Sequence, residues 1–70
     1  MDKQELTTRF AFHPATPVTG PKHDEIRSAC LALAGLIVGA TPESREQSLA
    51  ITALEEAMMW ANAAIARRTT

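Results

Sequence analysis

Ten consecutive residues, Ala57–Ala66, read AMMWANAAIA, and Asn62 is the only polar residue among them. Continued as a helix, this segment is apolar on nearly every side. A helix of that kind has to be buried on nearly every side. The whole chain has 70 residues, and chains this short bury only about 60% of their unfolded surface, which leaves their cores marginal. One hairpin partner can cover one face, and Leu54, Met58, Ala61 and Ile65 are spaced to meet it. Ala53, Ala57, Trp60 and Ala64 form a second apolar row beside the first. The alanines let another helix approach closely. The pattern therefore predicts self-association, with Ala57, Trp60, Ala61 and Ala64 at the interface between copies.

The rest of the chain supplies the partner helix. An all-α fold is expected: a short N-terminal helix, an irregular connector and an antiparallel helical hairpin in a single domain. The short helix covers about residues 2–12, with Leu6 and Phe10 as an i, i+4 apolar pair. Pro14 should end it by His13, because the residue before a proline is driven out of helical geometry. The connector covers 13–20. Gly20-Pro21 then opens a helix over 21–38, since proline is tolerated in a first turn. Asp24 and Glu25 lie early in it, toward the positive end of the dipole. Its expected apolar stripe is Ile26, Ala29, Cys30, Leu33, Leu36, Ile37 and Ala40, and Gly39 is its expected stop. Thr41 then reads as an N-cap and Pro42 as the first residue of a helix over 42–67. A link this short makes the two long helices antiparallel.

Composition narrows the function classes. The formal net charge is −1 with acids and bases interleaved, which argues against DNA, whose binders present a basic face. A small anion is compatible, because a few placed arginines hold a phosphate. Cys30 is the single cysteine, so no internal disulfide or cysteine-only metal site forms, and its apolar setting suits a small hydrophobe. Met1 is followed by the polar DKQELTTR, unlike a secretory leader. The apolar run Ala29–Ala40 is shorter than the roughly 20 residues that span a bilayer. A soluble protein with no membrane partner is expected.

Catalytic constellations are missing from the pattern. Ser28, Ser44 and Ser48 lie on helices with no paired base or strained elbow. His13, His23, Asp24 and Glu25 match no standard metal-ligand spacing and suit turn and capping roles better. No enzyme, metal or cofactor is expected. The connector and its flanks do hold parts for a nucleotide. Phe10 and Phe12 offer stacking faces, Lys22 and Arg27 offer cations, and Gly20 with the helix start behind it offers backbone N–H groups. The same residues equally suit packing anchors and solvated charges, and pattern alone favours that plainer reading. Arg67 and Arg68 end the last helix, where cations complement the dipole. In a symmetric assembly each would be copied around an axis.

The motifs FHP, KHDEIR and ESREQSLAITALEEAMMWANAAIAR resemble the phage anti-CBASS cyclic-nucleotide sponges, which share a helical-hairpin domain with anti-Thoeris sponges. The resemblance runs from about Arg9 to Arg68. It is most specific at Ser44–Glu46 and Leu54–Arg67. It implies a homohexamer, a trimer of dimers, that sequesters immune messengers in the host bacterial cytoplasm without hydrolysing them. It implies a site for cyclic dinucleotides such as cyclic GMP-AMP at Phe12 and Arg27, where relatives often carry tyrosine and lysine, with Lys22 and Gly20 nearby. A separate site for cyclic trinucleotides such as cyclic tri-adenylate would use His13 and Arg68, with Arg67 as the alternative to Arg68. The competing reading is a structural or regulatory helical oligomer that binds a protein partner.

Overall fold

Pro42 decides where the central helix stops. The computed structural model describes residues 1–69, which form three helices: α1 (Lys3–Phe10), α2 (Thr19–Ala40) and α3 (Arg45–Arg68). No strand occurs among the described residues. The helix α2 runs through Gly39, the expected stop, and no described residue has positive φ. Termination comes one step later. Thr41, held extended (ψ 149°) ahead of Pro42, breaks the helix. Its hydroxyl donates to the Ile37 carbonyl at 2.6 Å, which also accepts the Thr41 backbone N–H at 3.1 Å, so both donors of Thr41 close the last turn.

Thr41 is thus the C-cap of α2 and not the N-cap of α3. That cap is Ser44, whose hydroxyl accepts from the Gln47 backbone N–H at 3.1 Å. Ser44 and Gln47 are spaced as a capping box, but the Gln47 side chain turns to the neighbouring helix. Its amide donates to the Thr41 carbonyl at 3.1 Å, the Thr41 hydroxyl at 3.0 Å and the Val38 carbonyl at 3.4 Å. One side chain therefore fastens the end of α2 to the start of α3.

The Thr-Pro cap expected at Thr41 occurs instead at Thr16-Pro17. Thr16 Oγ1 accepts from the Thr19 N–H at 3.0 Å and the Val18 N–H at 3.2 Å. Thr19 Oγ1 accepts in return from the Thr16 N–H at 2.8 Å. This reciprocal pairing starts α2 before Gly20-Pro21, and Thr19 is the only buried residue among those described. Asp24 and Glu25 consequently fall beyond the first turn. At the N-terminal end, Asp2 caps α1 by accepting from the Glu5 N–H at 2.7 Å. The helix ends at Phe10, ahead of the expected residue 12, with Ala11 extended. His13 Nε2 donates to the freed Thr8 carbonyl at 2.7 Å.

The long helices pair antiparallel. Val38 meets Gln47 at one end, and His23 Nδ1 bonds Asn62 Oδ1 at 2.8 Å toward the other. The seam is narrow. On α2 it half-buries His23, Ile26, Cys30, Ala34 and Ile37, and on α3 Gln47, Ile51, Leu54, Met58, Ala61 and Ile65. Spacing by threes and fours, strictly alternating on α3, is the signature of paired helices. The expected stripe on α2 splits in consequence: Ile26, Cys30 and Ile37 enter the seam, while Ala29, Leu33, Leu36 and Ala40 stay exposed. Ala53, Ala57, Trp60 and Ala64 are exposed on α3.

No hydrophobic residue among those described is buried. The molecule measures 46 × 29 × 13 Å, and its least dimension is that of one helix, about 10–12 Å with side chains. Its radius of gyration is 15.2 Å, against about 11 Å for a compact domain of this length. A stable domain closes a core between at least two layers. This chain supplies one.

Candidate functional site

The last turn of α3 carries Arg67 and Arg68, and α1 lies against it. The Glu5 carboxylate receives the Arg68 guanidinium in a two-pronged pair, Nη2 to Oε1 at 2.6 Å and Nη1 to Oε2 at 3.0 Å. From its own helix it also receives Arg9 Nε at 3.1 Å. Hydrogen bonds from Arg68 first, then Arg9, hold the Glu5 carboxyl down to about 2, well below its ordinary value of 4.5. The same partnership raises the Arg68 guanidinium. Arg67 Nη2 reaches the Arg9 carbonyl at 3.4 Å.

Between α1 and α3 lies an open groove of about 630 Å³. Leu6, Phe10, Trp60 and Ala64 give it apolar walls, and Arg9, Arg67 and Arg68 give it charge. Phe10 is 84% exposed and Trp60 63%, so both ring faces are open to contact. The Trp60 indole N–H donates to Glu56 at 3.3 Å, which orients the ring along α3.

The connector residues stand apart from this groove. Phe12 is 88% exposed and lines neither this groove nor the second one. Arg27 borders that second groove, of about 260 Å³, with Cys30, Leu31, Ile51, Leu54 and Met58. It pairs with Asp24 at 3.6 Å; both side chains are well exposed, so the pair restrains it little. Lys22 is exposed. Gly20 differs from expectation, because its N–H donates to the Thr16 carbonyl at 2.8 Å. With Val18 and Thr19 also held by Thr16, these backbone donors at the start of α2 are satisfied within the chain. A Cβ at Gly20 would meet no heavy atom within 4 Å, so its surface is open even though its donor is occupied.

His13 and His23 have separate partners, Thr8 and Asn62. The fold thus brings Arg67 and Arg68 together with Phe10 and Trp60, and keeps Phe12 and Arg27 elsewhere. Sequence reasoning missed Glu5 and Arg9. Their i, i+4 spacing was a readable sign of a helical ion pair. The reach from Glu5 to Arg68 crosses 63 residues and leaves no pattern.

Comparison with protein families gives one identification over nearly the whole chain: residues 2–66 match the family described as Acb2/Tad1, hairpin domain. Comparisons with curated proteins and with solved structures gave no match. The matched span takes in all of α1, the connector and α2, and α3 as far as Ala66. The chain belongs to the Acb2/Tad1 hairpin family, the anti-CBASS and anti-Thoeris sponges that sequester cyclic nucleotides.

Proposed function

We propose that this chain assembles as a homohexamer, a trimer of dimers, which captures cyclic di- and trinucleotide messengers intact and so silences CBASS effectors in the host bacterial cytoplasm. Family membership supports the sequestration, and one structural observation supports the assembly: the single helical layer buries no apolar side chain among those described. Ala57, Trp60 and Ala64 lie exposed and Ala61 half-buried, and this row is the proposed seam between copies. Phe12 and Arg27, with Lys22 and Gly20, form the cyclic dinucleotide site only when a second subunit brings its own copies near. A flat aromatic face accepts a base, and a cation accepts a phosphate. Around a threefold axis Arg68 becomes three arginines, which matches the three phosphates of a cyclic trinucleotide in charge and symmetry. His13 and Arg67 lie beside it in this reading.

Binding, not turnover, is the activity. The test is calorimetry of the pure protein against cyclic GMP-AMP and cyclic tri-adenylate, followed by recovery of the ligand. Tight binding with the ligand returned unchanged is expected, and trinucleotide should still bind to protein saturated with dinucleotide. Hydrolysed ligand or competition for one set of sites overturns the proposal. A helical oligomer that docks on a protein would use the same open faces and would take up neither nucleotide.

A further inference from the structure

We propose that Glu5 is the resident counter-ion of the arginines that end α3, and that a phosphoryl anion enters the groove between α1 and α3 by replacing Glu5 on Arg68 and releasing α1. The geometry is that of an exchange site. Arg68 grips Glu5 through two nitrogens, at 2.6 and 3.0 Å, and a phosphate accepts the same parallel fork. Arg9, Arg67 and Arg68 line the groove, whose lining contains no acidic residue. Glu5 sits at its margin and answers Arg68 and Arg9 together. Glu56, one turn before Trp60 on α3, is engaged by the Trp60 indole. One carboxylate thus serves two of the three guanidinium groups, while the third, Arg67, reaches the Arg9 carbonyl, and the groove retains a positive excess that a multivalent anion satisfies better.

α1 is held lightly enough to leave. None of its residues is buried. Apart from the walls of the groove, its polar ties to α3 are the Glu5–Arg68 pair and the 3.4 Å contact from Arg67 to the Arg9 carbonyl. The Arg68 side chain of the pair is 54% exposed, so dissolved anions reach it and compete for the guanidinium. The flat face of Phe10, which lines the groove and is exposed, favours a phosphoryl ligand that carries an aromatic base. That the physiological ligand is a cyclic trinucleotide rests on the proposed function; the exchange itself does not.

Trp60 is the only tryptophan, so its emission reports occupancy of the groove. Full-length protein and the Glu5→Gln variant are titrated with inorganic tripolyphosphate and, separately, with cyclic tri-adenylate. Glu5→Gln should bind tripolyphosphate roughly tenfold more tightly, the size of a typical coupling between linked events. Glu5→Asp should fall between the two, and Arg68→Ala should lose binding. Amide exchange over residues 3–10 should rise in wild-type protein on saturation and be high in Glu5→Gln beforehand. Equal or weaker binding by Glu5→Gln, no binding by either form, or unchanged protection of α1 at saturation overturns the exchange. Tripolyphosphate binding with the expected gain, but none of cyclic tri-adenylate, leaves the exchange standing and removes the trinucleotide reading.

Discussion

Glu5 has an acid-labile role that can be read without any ligand. Its carboxyl titrates near 2 in the folded chain, against 4.5 when free. A depressed carboxyl stabilises the docked arrangement above the free value and loses that effect as pH falls toward the folded one. Trp60 emission should therefore change between about pH 4.5 and 2 as α1 lifts away. The step should be absent in Arg68→Ala, and a step unchanged in that variant would assign it to another acid. Phe12 and Arg27 make the second residue-scale case. Phe12→Ala should weaken cyclic dinucleotide binding by about 1–3 kcal/mol, the usual worth of a stacked base. Arg27→Glu should weaken it further by turning attraction into repulsion. Calorimetry on folded variants checks both, and normal binding by the pair makes these residues structural.

At the scale of elements, the turn between α2 and α3 depends on Gln47. Removing its amide strands the Val38 and Thr41 carbonyls and the Thr41 hydroxyl. Gln47→Ala should cost about 0.5–1.5 kcal/mol, since these bonds lie near water. The midpoint of urea unfolding at fixed protein concentration measures it, and no shift would show that water replaces the amide fully. This turn also shows what the sequence could convey. Three helices, their order and the α3 face toward α2 were legible, because prolines and apolar spacing act locally. The α2–α3 boundary was not, because Thr41-Pro42 and Ser44 through Gln47 each spell a cap within a few residues. The contest is settled by Pro42 forcing Thr41 to be extended, which suits a helix end as well as a helix start. The same Thr-Pro pattern stands at Thr16-Pro17, where it does start a helix. Neither the Glu5–Arg68 pair nor the His23–Asn62 bond could be inferred, because only the folded hairpin brings those residues together. Of the candidate site, the arginines and aromatics were legible as residue types, but their division between two regions was not.

The whole molecule is a slab with too much surface. A compact monomer of 7.6 kDa exposes about 4,300 Å², whereas this chain exposes 5518 Å². The excess, about 1,200 Å², is more than the roughly 800 Å² that one partner gives up in a standard interface. More than one neighbour per chain is the natural way to cover it. Trp60→Glu, a charge in the exposed alanine row, should lower the mass seen by light scattering or unfold the chain. A mass unchanged from wild type would move the interface to the Leu33 and Leu36 face of α2. The 13 Å thickness of the slab also sets a dose response. When a fold is completed only by its neighbours, the folded fraction follows total concentration by mass action. Dilution then disarms such a protein as surely as a mutation does. Its melting temperature should climb with concentration, and the capacity to take up messenger should rise more steeply than in proportion to the number of chains present, so that a cell holding half the dose has less than half the protection.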